Sequence, residues 1–135
     1  MLIGFGENFA ARIEHLERLR QHQDATNGFA SFLCWTYQSQ NTALGGDVTS
    51  NEDYLRTLAV ARLYLDNIPY FRASFLTQGK RGPEALLYGA NDFDIVMEDL
   101  VTELAGIQIE KNISTTLENV RKLGVKPVLR KPLLN

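Results

Sequence analysis

Phe29-Ala30-Ser31-Phe32-Leu33-Cys34-Trp35-Thr36-Tyr37 is an unbroken run of aromatic and β-favouring residues with neither glycine nor proline inside it. Such a run predicts a strand buried on both faces, because a strand with one wet face would alternate apolar and polar residues. Its flanks read as helices. On the amino-terminal side, Asn8 to Gln23 places Phe9, Ile13, Leu16 and Leu19 or Arg20 at three- and four-residue spacings, one apolar stripe that Asn27-Gly28 ends. Before it, Met1 to Phe5 is a short apolar strand that Gly4 and Gly6 break. On the other side, Ser39 to Asp47 is a polar, glycine-containing loop. Thr49 with Glu52 is then a capping box that opens a helix striped by Leu55, Leu58, Arg62 and Leu65.

Asp66-Asn67-Ile68-Pro69 stops that helix, since the residue before proline is pushed away from helical angles. Tyr70 to Thr77 predicts a third strand, Gln78 to Pro83 a loop, and Glu84 to Tyr88 a short helix with Pro83 in its first turn. Gly89 to Asp92 is a turn before a weaker strand, Phe93 to Met97, and Glu98 to Ala105 a helical turn stopped at Gly106. Thr115 with Glu118 predicts a last capping box, on a helix that packs Leu117, Val120 and Leu123 and stops at Gly124 and Pro127. Strands separated by helices pair in parallel through crossovers, which is the α/β class. About four β/α units make either a small open parallel sheet or half of an eight-stranded barrel, which takes roughly 250 residues. Length leaves both open.

The 135 residues suit a single domain, residues 1–135. No apolar run approaches the roughly 18 residues of a membrane span, and Met1 to Glu7 has no basic segment of a secretory signal. The cytoplasm is the expected compartment, without membrane attachment. With 14 Lys plus Arg against 16 Asp plus Glu, bulk charge does not recruit nucleic acid. The one basic block, Arg121 to Lys131, reads as a solvated terminus. A single cysteine, Cys34, excludes an intrachain disulfide, and excludes a zinc or iron-sulfur site held by several thiolates of this chain.

Gly4-Phe5-Gly6-Glu7-Asn8-Phe9 follows a strand and precedes a helix, but the bulky Phe9 stands where a dinucleotide fingerprint needs glycine for close helix packing. His15 and His22 lie seven apart without acidic partners in a metal-binding spacing, and Cys34 has no nearby histidine to activate it. In parallel α/β proteins ligands bind at the carboxyl ends of the strands. That rule selects Glu7, Gln38, Gln40, Asn41, Ser74, Thr77, Gln78, Asn91 and Asp92. Neutral hydrogen-bonding groups near Trp35 and Tyr37 suit a polar, partly aromatic small molecule.

Gly28-Phe29 through Trp35-Thr36-Tyr37-Gln38, Asn41-Thr42, Tyr54 to Arg62, Leu65 to Pro69, Ser74 to Gly79, Gly89 to Phe93 and the closing Gly124 to Pro127 with Arg130 form an ordered series. In that order and spacing they resemble the carboxyl-terminal half of the cyclic dehypoxanthinyl futalosine synthases, or dehypoxanthine futalosine cyclases. These are radical S-adenosylmethionine enzymes of the futalosine route to menaquinone. The Trp-Thr-Tyr-Gln and Leu-Thr-Gln-Gly pieces favour this cyclase over aminofutalosine synthase and the deazaflavin synthase subunits.

The resemblance implies the carboxyl-terminal half of a (β/α) TIM-type barrel. In the full enzyme a CxxxCxxC motif near the amino terminus holds a [4Fe-4S] cluster used with S-adenosylmethionine. This chain has no such motif, so no cofactor is expected on it alone and it should be catalytically silent. The adenosyl radical of the family abstracts a ribose hydrogen from dehypoxanthine futalosine, and the sugar radical adds to the aromatic ring. Glu7, Gln38, Ser74, Thr77, Gln78 and Asn91 match positions that would line the barrel mouth around this nucleoside-derived substrate, while Arg62 and Asp66 match a structural helix motif. Phe5 stands where the family has histidine, Asp94 where it has glycine, and Glu98-Asp99 where it has paired glutamates. These departures count against an unaltered pocket. Either a missing amino-terminal half or a second copy is expected to cover the two bare strand edges, and the competing reading is a noncatalytic α/β module that self-associates or binds a partner.

Overall fold

The computed structural model describes residues 1–95, 100–104 and 108–131. In chain order these form β1 (Leu2–Ile3), α1 (Phe9–Thr26), β2 (Ser31–Leu33), β3 (Trp35–Thr36), α2 (Asn51–Tyr64), β4 (Tyr70–Ala73), α3 (Phe75–Gln78), a 3-10 helix (Gly79–Leu87), β5 (Asp92–Phe93), α4 (Leu100–Leu104) and α5 (Ile113–Lys122). Every strand pairing is parallel. The α/β class expected from alternating strands and helices is therefore what the chain adopts.

The long strand expected over Phe29 to Tyr37 is interrupted at Cys34. Its first part, β2, pairs with β4 through Ser31↔Tyr70, Phe32↔Phe71 and Leu33↔Arg72. Its second part, β3, pairs with β1 through Leu2↔Trp35 and Ile3↔Thr36. β5 adds to β4 with Arg72↔Asp92 and Ala73↔Phe93. Neighbouring strands thus follow one another in chain order, staggered so that the interrupted strand meets one neighbour early and the other late.

One face of this assembly is dry. Phe32, Cys34, Phe71 and Ala73 are buried together with Leu16 of α1 and Leu55, Leu58 and Ala61 of α2. Phe32 and Phe71 pack ring to ring at 5.0 Å. The opposite face is not, because no helix among the described residues covers it. Ser31 and Leu33 are half-buried and Trp35 is exposed, which corrects the expectation of burial on both faces.

The inward face of α1 carries Arg12, Leu16 and Gln23, whereas Phe9 and Ile13 are exposed. Polar residues displace the expected apolar stripe because they satisfy backbone and charged groups. Gln23 receives the Phe29 N–H at 2.7 Å and donates to the carbonyls of Phe29 and Asn67, both at 3.1 Å. In α2 the stripe holds, with Leu55, Leu58 and Leu65 buried. Arg62 lies over the Phe71 ring and donates to the Ile68 carbonyl, and Asp66 pairs with Arg20 at 2.6 Å.

Further elements differ from expectation by local chemistry. The third strand ends at Ala73, because Ser74 caps α3 instead of extending the ladder. The expected loop from Gln78 to Pro83 is largely 3-10 helix, with Pro83 inside it. Gly82 is required there, since a Cβ would stand 2.8 Å from Phe75 Cα. Ser50 caps α2 and Asn112 caps α5, in place of Thr49 and Thr115. β5 begins at Asp92, and Val96 and Met97 of the expected fourth strand lie outside the described residues, as do Glu98, Asp99 and Ala105 of the expected helical turn.

Candidate functional site

At the carboxyl ends of β3 and β4 a chain of hydrogen bonds gathers four of the six expected ligand-side residues. Gln38 Nε2 donates to the Thr36 carbonyl at 3.1 Å and to Thr36 Oγ1 at 3.0 Å. Gln78 Nε2 reaches the same hydroxyl at 2.9 Å and Thr77 Oγ1 at 3.3 Å. The Thr77 and Ser74 hydroxyls are 2.7 Å apart, and the Ser74 N–H donates to the Tyr54 hydroxyl oxygen at 2.9 Å. Burial raises the Tyr54 phenol well above its ordinary pKa and keeps it protonated.

This cluster contains no acid or base that titrates near neutrality. Its amide nitrogens donate within the network, which leaves amide and hydroxyl oxygens as the acceptors these side chains can offer a ligand. The arrangement can bind and orient donors such as hydroxyls. It does not itself transfer protons. Thr36, the hub, was not singled out from the sequence, although it stands inside the Trp-Thr-Tyr-Gln piece beside Gln38.

Glu7 stands apart from that cluster in a second one. Its carboxylate accepts the N–H of Gly4 at 2.8 and 2.9 Å, that of Phe5 at 3.0 Å, and Arg12 Nε at 2.7 Å. Arg12 continues as a fork onto Asp53, 2.9 Å to each oxygen, and onto Thr57 Oγ1 at 2.8 Å. Burial works against the Glu7 charge, but the Gly4 N–H, Arg12 and further backbone donors outweigh it and hold the carboxyl below its ordinary pKa. Gly4 adopts φ +88°, and any Cβ there would overlap Thr49 Oγ1 at 1.7 Å. The turn that presents Glu7 therefore demands glycine.

Asn91 is separated from the others by the length of the sheet. It precedes β5, donates to the Pro69 carbonyl at 3.0 Å and accepts the Phe71 N–H at 2.8 Å, so it joins the amino ends of β4 and β5. The structure does not bring it to the strand carboxyl ends where the sequence reading put it. Beyond those ends, a cleft of about 360 Å³ opens between Phe75, Leu76, Lys80 and Pro83 on one side and Asp94, Ile109 and Thr116 on the other. Phe75 in its wall stacks on Phe93 at 4.9 Å.

The donor set does not fit an iron-sulfur cluster. Cys34 is buried in the core, and burial pushes its thiol up to about 12, away from the thiolate that iron requires. Among the described residues no group of three or more His, Cys, Asp and Glu side chains is placed to hold a metal ion. His22 instead packs on Phe29 at 5.2 Å, and burial followed by nearby positive charge lowers the pKa of His15. No helix among the described residues is long and apolar enough to cross a membrane.

Comparison with known proteins adds to this geometry. Residues 26–134 match a family model described as the CofH/MqnC C-terminal region. The chain is 41% identical over 133 residues to cyclic dehypoxanthine futalosine synthase of Halalkalibacterium halodurans, covering 96% of this chain and 36% of that protein. The protein of the same name from Streptomyces coelicolor is also 41% identical, again over 96% of this chain and over 33% of its own length. Aminodeoxyfutalosine synthase of Thermus thermophilus is 36% identical across 78% of this chain and 30% of its own. The chain thus spans about a third of the length of these curated relatives. A family match from Thr26 almost to the last residue, joined to 41% identity along nearly all of the sequence, makes this chain a member of the CofH/MqnC family, corresponding to its carboxyl-terminal region.

Proposed function

We propose that the chain is the carboxyl-terminal part, about four β/α units, of a TIM-type barrel in a radical S-adenosylmethionine cyclase. The full enzyme would convert dehypoxanthine futalosine to cyclic dehypoxanthinyl futalosine in the cytoplasmic futalosine route to menaquinone. The observation that carries this reading is the 41% identity to two cyclic dehypoxanthine futalosine synthases along 96% of the chain. Parallel strands in chain order, with neutral hydrogen-bonding groups at their carboxyl ends, agree with it, since barrel enzymes bind substrate on that rim.

In this reading Gln38, Thr77 and Gln78, fixed by Thr36 and Ser74, orient the hydroxyl groups of a nucleoside-derived substrate. Glu7 shapes the neighbouring turn and Asn91 aligns two strands from below. The [4Fe-4S] cluster that supplies radical chemistry belongs to another part of the enzyme, since the residues described here do not fit it. A second reading, a noncatalytic module that self-associates or binds a partner, is favoured by one observation. Leu2 and Trp35, paired across β1 and β3, stay exposed on the uncovered side of the sheet.

Co-expression with an amino-terminal half carrying CxxxCxxC separates the two. The expected result is a complex that retains iron and cleaves S-adenosylmethionine, with this chain inactive by itself. If the pair never associates, or if the isolated chain is monomeric and unfolds cooperatively without any partner, the half-barrel reading is lost.

A further inference from the structure

Beyond α5 the chain returns to the sheet. Residues 124–131 have no regular secondary structure after Gly124, and Val125 and Pro127 are half-buried whereas Val128 and Leu129 are exposed, Leu129 completely. Arg130 then turns inward. Its guanidinium forks onto Asp92, 3.0 Å to one carboxylate oxygen and 3.3 Å to the other, and lies over the Tyr70 ring at 4.6 Å. Both partners stand at the start of their strands, Tyr70 opening β4 and Asp92 opening β5, and these strands run parallel.

Which side of the sheet receives Arg130 follows from the alternation along a strand. Phe71 and Ala73 are buried against the helices, so Tyr70 and Arg72 point the other way, and Asp92, in register with Arg72, points with them. Arg130 therefore reaches the side that no helix among the described residues covers, at the amino end of β4 and β5. Apolar burial does not hold the tail there, since the two residues before Arg130 face solvent. The attachment is one side chain, ionic along its edge and aromatic on its face. It is a firm anchor, because the Asp92 side chain is only 10% exposed and a planar guanidinium meets both partners at once. A segment fastened at a single point opens as a unit when that point is released.

We propose that residues 124–131 are a releasable strap across the amino end of the sheet's open side, latched by Arg130 on Asp92 and Tyr70. Closed, the strap bars that end, so a small molecule on the open side enters and leaves past the carboxyl ends of the strands. In a barrel the strap would be the floor, opposite the rim that holds ligands. The latch needs only residues of this chain, so the proposal goes beyond the cyclase reading and stands or falls separately from it.

Trypsin tests the latch, because it takes the arginine side chain into its own pocket and so cleaves after Arg130 only when that residue has left Asp92. Lys126 and Lys131 each precede proline and resist cleavage, which makes Arg130–Lys131 the one tryptic bond beyond Leu123. Loss of residues 131–135 from the full chain is followed by mass, each rate taken relative to a peptide of residues 124–135 with the same tail sequence. Cleavage should be slow in the parent and about tenfold faster in Asp92→Asn and in Arg130→Lys, which keeps the charge but neither the fork nor the flat stacking face. Cleavage after Arg18 and Arg20, inside α1, should not change, which separates release of the strap from unfolding. Thiol labelling with a bulky maleimide reads the closure. Ser31, in register with Tyr70, and Trp35, further along the same run, lie on the open side, and Cys34 stays silent because it is buried and protonated. Arg130→Gln should speed labelling of Ser31→Cys about fivefold and leave that of Trp35→Cys unchanged. Circular dichroism checks that each variant folds, and Arg130→Lys carries the latch test if Asp92→Asn does not. Parent cleavage as fast as in the peptide, cleavage that the folded latch variants do not quicken, or Ser31→Cys labelling indifferent to Arg130→Gln would overturn the proposal.

Discussion

Glu7 is the residue whose part changes most between sequence and structure. In the sequence it is an acid just past a strand end; in three dimensions three N–H contacts and Arg12 saturate it, and Arg12 is in turn shared with Asp53 and Thr57. Its carboxyl pKa is lower folded than unfolded, so the stabilisation is complete above the ordinary value of 4.5 and is lost as pH falls through the lower folded-state value. Glu7→Gln is expected to cost about 1.5–3 kcal/mol at neutral pH, the scale of a charge-assisted hydrogen bond. It should also make the acid loss of stability below pH 4.5 shallower, measured by urea midpoints across pH; an unchanged acid limb would contradict this. That Gln38, Thr77 and Gln78 stand past strand ends was legible because neutral polar residues follow apolar strands. Asn91 misled because a residue just before a strand and one just after look alike when strand limits are uncertain by a residue or two.

At the scale of elements, caps decided the helix starts. Thr49 and Ser50 are neighbours of nearly equal capping chemistry, yet only Ser50 accepts the Asp53 N–H, while the Thr49 hydroxyl is buried against Gly4 with no partner. Ser50→Ala should therefore cost about 1 kcal/mol in thermal or urea unfolding. Thr49→Ala should cost less than half of that, and the reverse order would show that the cap had been misassigned. The break at Cys34 has a similar origin. Nothing in Phe29 to Tyr37 marks an interruption, and the strand divides because it pairs with β4 before Cys34 and with β1 after it. Ser74 likewise turns an apparent strand into α3 once its hydroxyl and the Tyr54 hydroxyl take up the local N–H groups.

For the whole molecule, the consequence of a parallel sheet in chain order is that β1 and β5 each have a neighbour on one side only among the described residues. Parallel edges left unpaired are exceptional, since both their ladder groups and their apolar flanks call for cover. Hydrogen exchange should therefore be fast at the β1 and β5 amides in the isolated chain, and should slow at least tenfold when an amino-terminal half is co-expressed. Slow exchange at both edges in a monomer would mean that the isolated chain already protects them. The face beneath the helices is closed by contrast, with Ile3, Phe32, Tyr54, Leu58 and Phe71 buried between sheet and helices.

The sequence by itself determined the α/β class, the alternation of strands with α1 and α2, and the family, because hydrophobic periodicity and the order of short motifs are properties of the linear chain. Only the tertiary structure decided that Arg12 and Gln23 face inward, that Glu7 is spent on Arg12, and that Gln38 and Gln78 meet on Thr36, 42 residues from the latter. Those outcomes depend on which donor finds which acceptor once distant segments are packed together. Hydrogen bonds and ion pairs across such separations leave no period in the sequence to read.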